Sequence, residues 1–228
     1  MSHIKLNNEK ALVVFSGGQD STTCLFWAQK HYQEVEAVFF HYGQRHHIEY
    51  ESAKKIASMN NIKLHELHLD TFKELGGNSL LDHNESISEE SDSGLPNTFV
   101  PGRNLIFLTY AAALSWKIKA KHLVTGVCQT DFSGYPDCRQ DTIEALEKAI
   151  QLGIDCPFEI HTPLMYLTKA ETVKLAQSTG GLSAQAYSHT CYEGAVPPCG
   201  KCPSCLLRSK GFKEAGIEDP LVLRTQVF

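Results

Sequence analysis

The sequence predicts an α/β fold, a doubly wound parallel sheet that ends in a small metal-tied C-terminal appendage. Three observations predict it. Short apolar runs alternate with longer stretches of helical periodicity, the pattern of strands joined by right-handed helical crossovers. A Ser-Gly-Gly turn follows the first apolar run and leads into the first helical stretch. Four of the 8 cysteines crowd between Cys191 and Cys205, among Pro197, Pro198 and Pro203.

Taken in order, Ala11 to Phe15 (ALVVF) is apolar throughout, as a strand buried on both faces reads. Asp20 to His31 carries Leu25, Phe26 and Ala28 between polar residues and predicts a helix, with Asp20 or Ser21 as its cap. Val35 to Tyr42 predicts a second strand, His46 to Asn60 a helix with Glu51, Lys54 and Lys55 on its wet side, and the alternating Ile62 to Leu69 a third strand. Asp70 to Val100 breaks the rhythm. Its glycines and its acidic stretch from about Leu81 to Ser93 predict a long surface loop. Arg103 to Ile118 is apolar almost all round and predicts a buried helix, followed by a strand at Lys121 to Val127. Asp141 to Leu152 predicts a helix with Ile143, Leu146 and Ile150 on one face, Phe158 to His161 a weak strand, and Lys169 to Ser178 a helix. Beyond it the prolines disfavour regular structure. The expected division is a nucleotide-binding α/β domain over 1–185 and a four-cysteine appendage over 186–228, packed on it.

The chain has 228 residues, 42% hydrophobic and 21% charged, a composition that excludes a disordered tail protein. A net charge of −5 implies no global attraction to nucleic acid or to anionic lipid. No apolar run approaches the roughly 18–20 residues of a membrane span, and MSHIKLNNEK lacks the apolar core of a signal peptide. The expectation is a cytoplasmic protein with reduced thiols, free of membrane and nucleic acid.

Ser16-Gly17-Gly18-Gln19-Asp20-Ser21 stands where a buried strand hands over to a helix. Adjacent glycines let the backbone turn with its N–H groups inward, the helix N-terminus adds a positive field, and Ser16 and Ser21 add hydroxyls, which together make a phosphate seat. No lysine follows the glycines, and the spacing is not G-x-G-x-x-G, so a Walker-type ATPase and a nicotinamide Rossmann enzyme are disfavoured. Asp20 beside phosphates makes sense if it holds Mg²⁺. The bland alternative is a Gly-Gly turn with a helix cap.

The second cluster, Cys191, Cys199, Cys202 and Cys205, has the pattern C-x7-C-x2-C-x2-C. Four thiolates with turn-forming Pro and Gly200 between them suit a closed tetrahedral site for structural Zn²⁺, over a redox C-x-x-C or unrelated buried cysteines. His189 reads as a neighbour of that site. Between the clusters, HYGQRH at 41–46, FVPGRN at 99–104 and GVCQTDFSGYPDCR at 126–139 fall at carboxyl ends of predicted strands or at helix starts, where ligands bind in a doubly wound sheet. Arg103 and Arg139 can pair with phosphate or carboxylate, or form ordinary surface ion pairs. Asp131 and Asp137 suit a ligand loop or plain turns. Lys169 opens its helix as either a phosphate contact or a solvated lysine.

SGGQDS resembles the pyrophosphate loop, SGGxDS, of enzymes that split ATP between the α and β phosphates and pass an adenylate to a nitrogen or sulfur nucleophile. FSGGQDSTTCL, HYGQRH, NTFVPGRN, TGVCQTDFSGYPDCR, TPLMYLTKAET and the cysteine tail, in that order, are similar to the 7-cyano-7-deazaguanine synthase family over nearly the whole chain. The resemblance implies an adenine nucleotide alpha hydrolase-like fold, structural zinc and a homodimer. It implies a ligase of queuosine biosynthesis, the supply of a tRNA-modification precursor, which turns 7-carboxy-7-deazaguanine, ammonia and ATP into the nitrile through adenylate and amide. On this sequence the resemblance places ATP on Phe15, Ser16, Gly17, Gly18, Gln19, Asp20, Ser21, Thr22, Thr23, Cys24 and Leu25. Asp20, Arg103 and Lys169 are the expected catalytic residues, Asp131, Tyr135, Asp137 and Arg139 the expected substrate contacts, and Cys191, Cys199, Cys202 and Cys205 the metal ligands. The acidic loop matches no motif, and no glutaminase segment is recognisable as an ammonia source.

Two rivals share these residues. A tRNA thiolase or ligase with the same loop needs a basic RNA surface and usually further domains, which an acidic chain of 228 residues does not offer. A non-catalytic zinc and nucleotide module would bind ATP without releasing pyrophosphate.

Overall fold

The computed structural model describes residues 6–44, 47–71, 99–129 and 134–226, and among these the apolar runs assemble as a five-stranded, all-parallel sheet. Its order is β3-β2-β1-β4-β5, with β1 at Asn7–Val14, β2 at Tyr32–His41, β3 at Lys63–His68, β4 at His122–Val124 and β5 at Glu159–His161. The chain winds outward from β1 through β2 to β3 and then returns to the other side of β1 with β4. The order therefore reverses between β1 and β4, and a crevice opens at their carboxyl ends.

The helices are α1 (Gln19–His31), α2 (Ile48–Met59), α3 (Arg103–Ile118), α4 (Gln140–Ile154), α5 (Lys169–Thr179), α6 (Pro203–Ala215) and α7 (Pro220–Gln226). Alternation along β1 sorts them into two layers. Ala11, Val13 and Phe15 pack with Leu25 and Ala28 of α1 and Ala53 and Ile56 of α2. Leu12 and Val14 face the other way, against Leu108 and Ala111 of α3 and Ile143 and Ile150 of α4. Coverage on both faces is why the strand reads as unbroken apolar sequence. Leu12 and Leu123 are fully buried, so trimming either to alanine costs about 2–5 kcal/mol.

The structure differs from the sequence reading in four respects. β1 and β2 begin at Asn7 and Tyr32, earlier than the apolar runs, because parallel pairing of Asn7 with Tyr32 satisfies polar backbone beyond the core. The strand expected at Lys121 to Val127 stops at Val124, after which the Thr125 N–H bonds the His161 carbonyl and the chain turns into the crevice. α3 is not buried all round: Tyr110 and Trp116 are 50% and 63% exposed. Pro203 does not break structure but opens α6, since at the first helical position its missing N–H would have had no partner. The expected acidic loop, 81–93, lies outside the described residues. Among the described residues no helix is long and apolar enough to cross a membrane.

Candidate active site at the switch point

β1 delivers Phe15 to the carboxyl edge, where its N–H bonds the Val38 carbonyl, and the chain turns through Ser16, Gly17 and Gly18 into α1. Gly17 has φ +79°, and a Cβ there would lie 2.6 Å from the Ala53 nitrogen and 2.7 Å from the Glu49 carbonyl oxygen. Only glycine fits, and α2 thereby packs directly on the loop. The hydroxyls of Ser16 and Ser21 lie 3.2 Å apart; Ser16 accepts the Gly18 N–H at 3.3 Å and Ser21 donates to the Gly18 carbonyl at 3.2 Å.

The expected cap by Asp20 or Ser21 does not form. Gly18 is the cap residue and no side chain caps the first-turn N–H groups, since the Ser21 hydroxyl is held inside the loop. The first-turn N–H groups, which have no helical acceptors, remain available to an anion in the crevice. Gly126, just past β4, lets the second wall approach: its Cβ would stand 3.3 Å from the Asp20 carbonyl carbon and 3.4 Å from the Ser21 nitrogen.

The eleven residues expected around ATP divide by burial. Ser16 is exposed and Gly18 and Asp20 half-buried, whereas Phe15, Cys24 and Leu25 belong to the core beneath α1. The side chains of these three pack into that core and so tie the loop to it. Gln19, Thr22 and Thr23 are also buried; Thr23 donates to the Gln19 carbonyl at 3.0 Å. Burial pushes the Cys24 thiol pKa well above its ordinary value, so it is no thiolate nucleophile.

Asp20 and Lys169 come together although 149 residues separate them in the chain. Lys169 Nζ donates to Asp20 Oδ2 at 2.7 Å, with the two side chains 15% and 29% exposed. Lys169 is therefore an ion-pair partner rather than a solvated lysine. It starts α5 behind a Thr168–Glu171 capping box, and α6 comes so close that a Cβ on Gly211 would lie 2.8 Å from Lys169 Cβ. Asp20 Oδ1 is buried and has no hydrogen-bond partner among the described residues. A carboxylate oxygen left so fits a cation, Mg²⁺ with phosphates being the hard-oxygen case.

Across the crevice, Arg103 starts α3 immediately after Gly102 and lies over the Tyr42 ring, 5.8 Å from its centroid. Burial works against its charge, yet Tyr42, Tyr135 and Asp137 hold its pKa above the ordinary value, so a fixed cation stands there. Asp137 is 4% exposed, and its Oδ2 accepts the Asn104 N–H at 2.9 Å. Its carboxylate is thereby tied to the start of α3. Tyr135 lies 5.4 Å from the Phe99 ring, Arg139 is exposed at the start of α4, and Asp131 lies outside the described residues. The sequence reading missed Glu49. Burial raises its carboxyl to about 7 against the opposing pull of Arg103, placing a group that titrates near neutrality beside the loop. No motif marks it; it is the close packing of α2 on Gly17 that brings it to the site.

The thiol sulfurs of Cys191, Cys199, Cys202 and Cys205 all lie within 4.8 Å of one another, Cys199 and Cys205 at 3.9 Å. Tetrahedral zinc with Zn–S near 2.3 Å sets sulfurs roughly 3.8 Å apart, so the cluster fits that ion. The N–H groups of Cys199 and Cys202 approach the sulfurs of Cys191 and Cys199 at 3.4 Å, and N–H contacts from Lys201 and Cys202 bring the Cys199 thiol down to about 6. His189 Nε2–H donates to the Cys191 carbonyl at 3.1 Å, outside the ligand set, while its backbone N–H donates to the Gly17 carbonyl at 2.9 Å.

The family model described as queuosine biosynthesis protein QueC matches residues 10–216. The chain is 60% identical over 224 residues to the 7-cyano-7-deazaguanine synthase of Chromobacterium violaceum, covering 96% of each chain. It is 56% identical over 218 residues to that of Laribacter hongkongensis, covering 95% of each. A crystal structure of a 4-thiouridine synthetase–RNA complex with bound ATP superposes with a TM-score of 0.52 at 18% identity, over 96% of this chain and 53% of that one, a likeness of fold. A family match across the sheet, the crevice and all four cysteines leaves one conclusion: the chain belongs to the queuosine biosynthesis protein QueC family.

Proposed function

We propose that the chain converts 7-carboxy-7-deazaguanine, ammonia and ATP into 7-cyano-7-deazaguanine, at the crevice between β1 and β4. The product is the one in the relatives' shared name, and one structural observation supports the chemistry: α1 presents an uncapped first turn with Asp20 and Lys169 at its lip. In the first half-reaction the substrate carboxylate attacks the α-phosphate and pyrophosphate leaves. Ammonia then adds to the acyl carbon, loses a proton and expels AMP to give the primary amide. In the second half-reaction the amide oxygen attacks the α-phosphate of a second ATP and expels pyrophosphate, and loss of AMP and two protons from the adenylated amide leaves the nitrile. Both acceptors present an oxygen on the same ring substituent, so one positioned set of donors serves both steps without a covalent protein nucleophile.

Ser16, Gly17, Gly18 and the first turn of α1 hold the departing pyrophosphate by backbone N–H groups. Asp20 would hold Mg²⁺, which supplies charge neutralisation to the phosphates. Lys169 orients Asp20 and adds positive charge; Arg103 faces the acceptor, with Asp137 as its positioning neighbour, and Arg139, Tyr135 and Asp131 complete the substrate side. The Cys₄ segment, 186–228, is an appendage carrying structural Zn²⁺. The active form is a cytoplasmic homodimer, a state supported by the exposed Tyr110 and Trp116 on α3.

The decisive experiment supplies the synthetic amide, 7-amido-7-deazaguanine, with ATP and no ammonia. One AMP per nitrile is expected by mass analysis, against two when the carboxylate is the start. An amide that is not converted, while the carboxylate is, would refute the shared site.

A further inference from the structure

Toward the other end of the sheet, on the face covered by α1, the side chains of His122, Glu159 and His161 converge. His122 opens β4 opposite Ala11, five residues before Ser16 and on the order of 16 Å away along the strand. His122 Nδ1 lies 3.0 Å from His161 Nε2, and Glu159 Oε2 lies 3.5 Å from each of those nitrogens. The Tyr32 hydroxyl closes on the same His161 nitrogen at 2.9 Å. In either tautomer a ring nitrogen makes one hydrogen bond, so His161 Nε2 has three polar neighbours where it can satisfy one.

We propose that His122 Nδ1, His161 Nε2 and Glu159 Oε2 form a second metal site, for a divalent ion of the zinc, cobalt and nickel class. Two imidazoles and a carboxylate are the donors such ions take. With metal–ligand bonds near 2.1 Å, a tetrahedral site sets its donors roughly 3.4 Å apart, and the observed triangle brackets that edge. The open fourth position faces the Tyr32 hydroxyl or water.

The surroundings orient these ligands as the outer shell of a metal site does. The other nitrogen of His122, Nε2, lies 2.8 Å from Glu9 Oε2, and Lys121 holds the second oxygen of Glu9 at 2.6 Å. A carboxylate that accepts the Nε2–H bond fixes the tautomer that leaves the Nδ1 lone pair turned toward the site. His122 is 5% exposed, so its ring is fixed by packing, whereas Glu159 is 63% exposed and gives an ion a way in.

The test uses untagged chain with its Cys₄ ion in place, titrated with Co²⁺ and followed in three ways. Equilibrium dialysis counts ions, visible spectra separate nitrogen and oxygen ligation from the intense thiolate-to-cobalt charge transfer, and fluorescence reports Trp27, whose ring lies 5.7 Å from His161. The wild type is expected to bind one additional cobalt per chain without new charge-transfer intensity, and to lose Trp27 emission; Trp27→Phe removes that signal and leaves the dialysis count unchanged. His161→Ala should abolish the additional ion. Glu159→Gln, on the surface and harmless to the fold, should weaken it at least ~10-fold, and Glu9→Gln by ~10–100-fold. No additional cobalt at millimolar metal, or the same binding in His161→Ala and Glu159→Gln as in the wild type, would overturn the site.

Discussion

Gly17 offers a quantitative test of the pyrophosphate loop because a neighbouring glycine serves as its control. Alanine at 17 must hold φ near +79°, which costs an L-residue about 1–2 kcal/mol. Its Cβ must also clear the Ala53 nitrogen at 2.6 Å and the Glu49 oxygen at 2.7 Å, both backbone atoms that no rotamer change can move. Reaching ordinary contact at 3.4 Å displaces loop and α2 by 3.4 − 2.6, or 0.8 Å, and overpacking of that kind adds about 1–3 kcal/mol. The expected loss is about 2–5 kcal/mol, a fall in Tm of roughly 5–15 °C for a chain of this size. Alanine at 18 meets the Ser16 hydroxyl at 3.3 Å and the His189 carbonyl oxygen at an ordinary 3.5 Å, and keeps an ordinary φ of −78°. It should cost under about 1 kcal/mol, within the range for replacing a glycine cap.

Thermal melts and pyrophosphate release, run on both variants, read the two consequences separately. A misplacement near 1 Å at a reacting centre can cost about 100-fold in rate. Gly17→Ala should therefore lose at least ~10-fold in release even at temperatures where it is folded. A Gly17→Ala protein that melts with the wild type and releases pyrophosphate at the wild-type rate would show that α2 does not brace the loop. Equal losses from Gly18→Ala would show that backbone conformation is not what distinguishes the two glycines.

Asp20→Asn should abolish pyrophosphate release while changing Tm by little, since it removes the ion-pair partner of Lys169 and the cation-holding oxygen but leaves the core intact; near-wild-type release would exclude Asp20 from the site. Cys199→Ser should lose bound zinc and melt earlier, and elemental analysis giving about one zinc per wild-type chain beside an equally stable variant would contradict a structural ion. Glu36 gives a pH signature: burial disfavours its charge, but bonds from Lys10 and His65 bring its carboxyl from 4.5 down to about 2. Its stabilisation, about 3 kcal/mol, is complete above pH 4.5 and is lost as pH falls from there towards 2. Glu36→Gln should flatten that stretch of the acid unfolding curve, and a curve parallel to the wild type would remove Glu36 as its source.

What the sequence made legible was whatever local chemistry determines. A strand buried on both faces must be apolar throughout, so β1 and β2 announce themselves. A loop that seats phosphate needs Gly17 and Gly18 between a strand and a helix, and four clustered thiols need no tertiary knowledge to suggest a metal. What stayed hidden depends on contacts distant in the chain. Lys169 reads as any lysine until α5 is docked against α1, 149 residues away from Asp20. Nothing local to Asp137 announces that its carboxylate bonds the Asn104 N–H, 33 residues earlier. Arg208 carries no motif, yet it is 4% exposed and held by both oxygens of Asp219, at 2.6 and 2.8 Å. α6 escaped notice because proline between two metal-ligand cysteines reads as a breaker, although Pro203 occupies the one helical position that welcomes it.

The position of the cysteine segment has a physical reason in the loop it backs. A Ser-Gly-Gly turn pays more conformational entropy on ordering than most sequence, and an uncapped helix start adds no bond of its own to hold it. The C-terminal third supplies the missing constraints. The His189 N–H bonds the Gly17 carbonyl while its ring bonds the Cys191 carbonyl, so a cluster ligand and the loop share one residue as a bridge. Four residues earlier, the Gln185 side chain donates to the Gln19 carbonyl at 3.0 Å and to the Thr23 hydroxyl at 3.1 Å, gripping the first turn of α1 from behind. Arg208 of α6 donates to the Gln185 carbonyl and to Ser188, whose hydroxyl in turn donates to Gln185 Oε1. Each bond is worth only about 1 kcal/mol net, but buried and connected they hold a single geometry. An ion held by the four cysteines would thus brace the backbone that His189 and Gln185 tie to the loop.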